Sequence, residues 1–282
     1  MNKLLVSAFV FAFSLQSVAE TISGVTIDSV SGIKYTAEAL AYHSVKPTTR
    51  IVFDEFVPAT DYVNAVNKIG PYSFIMGEIL DSFYMKQYTQ ATFSKRVDEY
   101  LNTLGPKVNI WEIGNEINGE WLGTTSETVA KMYSAYSKVK ARNYKAALTL
   151  YYNPNCWEKK ANEMFAWSSA NIPTVMKQNL DYVFISYYED DCNDYRPTQA
   201  QWEDVFNKLG QMFPNSKIGF GEIGTTKSAK KVDMVNRYYR MNISHPRFVG
   251  GYFWWYYKQD AVPRTKALWK TLDDAFIAQP KK

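Results

Sequence analysis

Eight short β-branched or aromatic runs, each followed by a longer amphipathic stretch, constrain this chain more than any other feature of its sequence. The runs are Gly24–Asp28, Arg50–Asp54, Ser73–Ile79, Val108–Gly114, Ala147–Tyr152, Tyr182–Tyr188, Ile218–Glu222 and Val249–Tyr256. The stretches with helical spacing are Tyr35–His43, Ala59–Lys68, Phe93–Leu104, Ser126–Arg142, Asn162–Ser169, Gln199–Met212, Ala229–Asn242 and Thr265–Ala278. Successive strands start about 32 residues apart, and a βαβ unit takes roughly 30 or more. Strict alternation over eight units predicts an α/β fold closed as a single (β/α)8 TIM barrel. An open doubly wound sheet would carry a glycine-rich phosphate loop after its first strand, and Gly24-Val-Thr-Ile-Asp28 is not one.

The ends and totals narrow the setting. Asn2-Lys3, an apolar run from Leu4 to Leu15 and Ser17-Val18-Ala19 have the build of a secretory signal peptide. The run is shorter than the roughly 20 residues of a membrane span. The expected organisation is therefore a signal peptide at 1–19 and one barrel domain at 20–282, in a secreted or periplasmic protein with no membrane segment after cleavage. A net charge of +4 is too small for a nucleic-acid surface. Aromatic residues make up 16% of the chain, enough to wall a cleft as well as fill a core.

Reactive groups of this barrel sit at the C-terminal ends of its strands. Asp28, Asp54 with Glu55, Glu78, Asn115 with Glu116, Asn153, Tyr187 with Tyr188, Glu222, and Trp254 with Trp255 all fall there. Two stretches share one build: Trp111-Glu-Ile-Gly-Asn115-Glu116 on strand four and Lys217-Ile-Gly-Phe-Gly-Glu222 on strand seven. Each is a strand ending in a carboxylate, and Asn and Glu are poor strand interiors. A facing pair of acids, one protonated and one ionised, is the equipment that cleaves a glycosidic bond. Glu112 reads as a structural buried acid paired with an arginine or hydroxyls, because an unpaired buried charge is costly. Glu78 and Glu120 read as sugar-contacting or loop residues, and Asp54 and Glu55 as cleft-lining or surface residues.

These two motifs resemble those of glycoside hydrolase clan A, the retaining (β/α)8 β-glycosidases, and the likeness in strand order spans nearly the whole chain after residue 19. The resemblance implies Glu116 as acid/base, Glu222 as nucleophile and Asn115 as the residue bonding the sugar 2-hydroxyl. It further implies that Arg50 keeps the nucleophile ionised, that Tyr187 or Tyr188 touches the nucleophile, and that Trp254 or Trp255 floors the cleaved sugar's site. Strand alternation turns only one of each doublet inward; Tyr187 and Trp254 are the expected ones.

Cys156 and Cys192 follow strands five and six, and a bridge between these neighbouring loops fits an oxidising compartment. Two cysteines and two histidines, His43 and His245, show no metal-ligand spacing, so neither a metal nor another cofactor is expected. The expected function is a retaining hydrolase of a β-linked polysaccharide or oligosaccharide, internal-cutting because its mouth loops are short. The alternatives are a non-catalytic polysaccharide-binding barrel and a retaining transglycosylase. Sugar identity and oligomeric state are not encoded legibly.

Overall fold

The computed structural model describes residues 21–281; the expected signal peptide at 1–19 lies outside the described residues. Its eight strands are β1 (Ile22–Ile27), β2 (Thr48–Val52), β3 (Phe74–Glu78), β4 (Ile110–Glu112), β5 (Ala146–Tyr151), β6 (Tyr182–Tyr187), β7 (Lys217–Ile223) and β8 (Phe248–Trp254). All are parallel and close in sequence order, β8 pairing with β1. The (β/α)8 barrel expected from the sequence is therefore the observed fold.

The helices are α1 (Ile33–Ala41), α2 (Val63–Ile69), α3 (Gln90–Leu104), α4 (Thr125–Ala141), α5 (Met164–Asn171), α6 (Thr174–Asn179), α7 (Gln199–Met212), α8 (Lys231–Tyr239), α9 (Tyr257–Ala261) and α10 (Ala267–Ala278). Two differ from the sequence pattern. The fifth crossover is split at Ile172-Pro173, because Pro173 cannot continue α5 and instead precedes the first residue of α6. A short helix, α9, also follows β8. Thr89, Thr124 and Thr198 cap α3, α4 and α7, each accepting an otherwise unpaired backbone N–H; Thr198 and Gln201 form a full capping box.

Alternation along the strands produces two cores. Ile22, Met76, Ile110, Ala147, Tyr182, Phe184, Val249 and Phe253 fill the lower barrel lumen. Outward residues meet the helices: Phe220 of β7 packs edge-on against Trp202 and Phe206 of α7 at 4.8 and 5.0 Å between ring centres. Trp202 is fully buried, and burial of each such ring contributes on the order of 1.5–3 kcal/mol. The chemistry-bearing side chains lie in the upper lumen, above the first of these cores. Among the described residues no helix is long and apolar enough to cross a membrane.

Candidate active site

One turn above the apolar lumen, each strand from β2 to β7 turns a polar side chain inward. The sequence parity explains most of them: Met76 and Glu78 share a face of β3, Ile110 and Glu112 of β4, Ala147 and Thr149 of β5, Phe184 and Ser186 of β6. Arg50 of β2, completely buried, stands at the centre. Its Nε and Nη2 donate to the two oxygens of Glu112 at 2.6 and 3.1 Å. The same Nη2 lies 2.7 Å from Glu222 Oε1 and 3.0 Å from Glu78 Oε2. Thr149 donates to Glu112 Oε1. Glu112 is thus the structural acid the sequence suggested, paired with an arginine and a hydroxyl.

Glu222 reaches this ring only because β7 breaks its alternation. Phe220 faces the helices, so a regular strand would aim residue 222 outward as well. Opposite β6 the register steps from Ile185–Phe220 to Ser186–Glu222, leaving Gly221 as an extra residue. This β-bulge turns Glu222 into the lumen and Ile223 into the outer core. A side chain at Gly221 would put its Cβ 2.8 Å from Phe184 Cβ and 2.9 Å from Thr149 Cγ2, so the bulge needs glycine. Once inside, Glu222 Oε1 accepts from Asn115 Nδ2 at 2.7 Å and Oε2 from the Tyr188 hydroxyl at 2.9 Å. The Ser82 backbone N–H, bonded to Asn115 Oδ1 at 3.1 Å, sets the orientation of that amide.

Glu116 arrives differently. The chain leaves β4 after Glu112, and Glu116 has φ 45°, a left-handed conformation that costs a side-chain-bearing residue on the order of 1–3 kcal/mol. Its carboxyl accepts from Ser186 Oγ at 2.6 Å and Ser82 Oγ at 3.1 Å. Ser186 Oγ also lies 3.5 Å from Glu222 Oε2. Because one hydroxyl oxygen touches both acids, Glu116 Oε1 and Glu222 Oε2 are no more than about 6.1 Å apart. Carboxyl pairs about 5–5.5 Å apart attack carbon directly, and pairs about 6.5–9.5 Å apart admit a water.

Burial pushes both carboxyls above the usual range, but unequally. For Glu222 the Arg50 charge opposes burial. Glu116 has no such cation, and the Glu222 charge adds to its burial; the two serine hydroxyls only partly offset this. Glu116 therefore holds its proton to higher pH than Glu222 does. Folding raises the Glu116 pKa, so its ionisation costs stability as pH rises above its unfolded value near 4.5. Glu116→Gln should consequently stabilise the protein at pH 8 by about 1–2 kcal/mol, or about 2–8 °C in Tm. At pH 4 the gain should vanish. Thermal melts at the two pH values check this, and an unchanged or lowered Tm at pH 8 contradicts it.

The structure corrects three sequence expectations. Tyr188, not Tyr187, meets Glu222. Tyr187 points outward against Trp202 at 4.9 Å, and its hydroxyl bonds the Tyr195 carbonyl at 2.5 Å. Trp255, not Trp254, faces the cleft, its ring 5.6 Å from the Arg50 guanidinium. Trp254 is fully buried, and its indole N–H donates to Asp260. Glu78 is no loop or sugar-contacting residue but is fully buried beside Arg50, and that burial holds its carboxyl well above the usual range.

Asp54 accepts from the Tyr62 hydroxyl, and Glu120 binds the backbone of the loop after β5. The cleft, about 520 Å³, is walled by Trp255 and Tyr256 on one side and by Phe83, Trp121 and Tyr151 on others. Ser82, which opens a short 3-10 helix after β3, and Trp121, on the loop after β4, left no sequence signal. Ser186 did: it is the polar residue in the apolar run Tyr182–Tyr187 and has the parity of Tyr188. Cys156 and Cys192 form a disulfide, with Cα atoms 5.6 Å apart. Among the described residues no group of three or more His, Cys, Asp or Glu could hold a metal ion.

No protein-family model matches the chain, and no curated protein matches it. Solved structures do. Gas2p of Saccharomyces cerevisiae in complex with laminaritriose and laminaritetraose is 13% identical, with TM-score 0.58, over 93% of this chain and 65% of that one. An apo structure of a Glu-to-Gln mutant of Gas2p gives 13% identity and TM-score 0.61 over 95% and 63%. The laminaripentaose complex of the same protein gives 13% and 0.58 over 93% and 66%. The chain thus spans less than two thirds of the length of these neighbours, and the likeness is one of fold: an independent structural match to the eight-stranded barrel.

Proposed function

We propose that this chain is a retaining β-glycosidase of glycoside hydrolase clan A, with Glu222 as nucleophile and Glu116 as acid/base. The observation that carries the reading is the unequal setting of two adjoining acids. Glu222 rests on a guanidinium, an amide and a phenol, whereas Glu116 rests on two serine hydroxyls. In the first step a Glu222 oxygen bonds to the anomeric carbon as the glycosidic C–O bond breaks, and the Glu116 proton passes to the departing oxygen. Esterification removes the Glu222 charge, which lowers the Glu116 pKa because that charge is one of its causes. Glu116 then takes a proton from water, the water oxygen bonds to the anomeric carbon, and Glu222 leaves as carboxylate. Asn115 bonds the sugar 2-hydroxyl, and Trp255 floors the cleaved ring.

The suggested substrate is a β-linked glucan, since the structural neighbours carry laminari-oligosaccharides. Internal cutting is favoured by a cleft that continues past Glu116 into a second cavity. The disulfide favours an extracytoplasmic compartment. Trapping with a panel of activated 2-deoxy-2-fluoro β-glycosides, followed by peptide mapping, tests the assignment. The label should sit on Glu222. A label on another carboxylate, or turnover of a panel member with no covalent adduct, overturns it.

A further inference from the structure

The barrel has a second mouth, at the N-terminal ends of its strands, and a cavity of about 350 Å³ opens there. That volume is at the small end of the roughly 300–1,000 Å³ of ligand pockets. The apolar lower lumen, with Met76, Phe184 and Phe253 among its side chains, lies between this cavity and the acids above. This end of a (β/α)8 barrel ordinarily serves stability and not chemistry, and the glycosidase reading gives the cavity no role.

Its wall is the lowest layer of inward side chains. Strand alternation places Thr48 two residues below Arg50, Phe74 below Met76 and Tyr182 below Phe184, all on the lumen side. One step further down, three of these inward rows begin with lysine. Lys46 precedes Thr48, Lys145 precedes Ala147 and Lys217 precedes Gly219, each by two residues. Lys46 and Lys145 line the cavity together with Phe74 and Tyr182. The Lys46 ammonium stands 4.8 Å from the Phe74 ring centre, and that of Lys217 stands 5.7 Å from the Tyr182 ring centre.

No acid among the described residues pairs with these three charges. Lys138, Lys140, Lys227, Lys230, Lys231 and Lys270 each meet an aspartate, but Lys46, Lys145 and Lys217 do not. Asp181, just before β6, is taken by Lys140 at 2.7 Å and by the Ala146 N–H at 2.8 Å. Helix dipoles do not account for the lysines either, since all three lie at strand entries and not in last helical turns. Neutral donors join them. Asn109 Oδ1 accepts the Ile75 N–H at 2.8 Å, which leaves its Nδ2 hydrogens unused. The Thr48 hydroxyl makes no hydrogen bond among the described residues. Ammonium groups that face one space repel one another, and an anion placed among them reverses the sign of that interaction. Ile22, Val45, Ile110 and the Phe74 ring make the rest of the wall apolar, so the anion that fits carries an apolar body.

We infer that the barrel floor is a binding site for a small organic oxyanion, a carboxylate or phosphate ester on an apolar body, held by Lys46, Lys145 and Lys217. The inference stands apart from the glycosidase reading, and its test needs no turnover. Phenyl phosphate and benzoate are titrated calorimetrically into the wild-type protein, with inorganic phosphate and benzyl alcohol as partial mimics. At least one aromatic anion should bind more than fivefold tighter than either mimic, and the tighter of the two distinguishes phosphate from carboxylate. Lys46→Met/Lys145→Met should weaken that binding at least fivefold, while Lys46→Arg/Lys145→Arg, which keeps both charges, should stay within threefold of wild type. Both lysines are exposed, so neither pair should lower Tm. Inorganic phosphate binding as tightly as phenyl phosphate would mean an adventitious ion only and overturns the inference. So does the absence of binding by both aromatic anions. A smaller loss in the methionine variant places the anion elsewhere, and an equal loss in the arginine variant makes the effect one of packing; either result overturns it as well.

Discussion

Glu222→Ala should lower turnover of an activated aryl β-glycoside by roughly 10⁴-fold or more, and azide should restore part of it as the α-glycosyl azide. The substitution removes the carboxylate that would attack from the α face but leaves Arg50, Asn115 and Tyr188 around the vacancy. A small anion fits this space beside the guanidinium, and its attack from the α face inverts the sugar.

Glu116→Ala should behave oppositely with the same substrate. An activated phenol departs without a proton, so the glycosyl-enzyme forms on Glu222 and accumulates for want of a base. Azide then attacks that intermediate from the β face, and the product is the β-glycosyl azide. Exchanged product configurations would exchange the two roles, and free turnover in Glu222→Ala without azide would end the two-acid reading. The anomeric configuration, read by NMR, reports which face each acid occupies.

The barrel was legible because its signal is repetitive: eight alternations of hydrophobic period survive errors of a residue or two at any boundary. Residue orientation was legible only where strands keep strict alternation. On β6 it could have been read in full, since Ser186 interrupts an apolar run and shares its face with Tyr188, not Tyr187. On β7 and β8 it could not. The extra residue at Gly221 reverses the parity of everything after it, and no feature of Gly-Phe-Gly-Glu fixes on which side of that step Glu222 falls. β8 is irregular in a similar way: Gly250 and Gly251 have φ of 82° and 91°, and a Cβ on Gly251 would meet Phe220 O at 2.1 Å. The pairing of β7 with β8 shifts there, so counting by two from Val249 does not tell Trp254 from Trp255. The burial of Glu78 is hidden in the sequence for another reason. A carboxylate at a strand end resembles a loop residue until the arginine facing it from β2 is seen.

That arginine carries the second large effect. Arg50→Met should destabilise the protein by about 3–5 kcal/mol at neutral pH, because breaking a buried ion pair strands its partners. In Tm the loss should be on the order of 10 °C. One guanidinium lies against Glu78, Glu112 and Glu222, and its charge opposes the burial that raises the pKa values of Glu78 and Glu222. Without it those values rise further above the unfolded value near 4.5. A carboxyl whose pKa is raised by folding loses stability as pH rises between the two values. The difference from wild type should therefore be larger at pH 8 than at pH 5, where the stranded acids take up protons. The same shift should move the acidic limb of kcat/KM to higher pH, since Glu222 would ionise later. A methionine fills the space of the arginine stem, so simple loss of packing would lower Tm equally at both pH values and leave the limb in place. That pattern would make Arg50 a packing residue and remove the electrostatic reason for assigning Glu222, rather than Glu116, the attack on carbon.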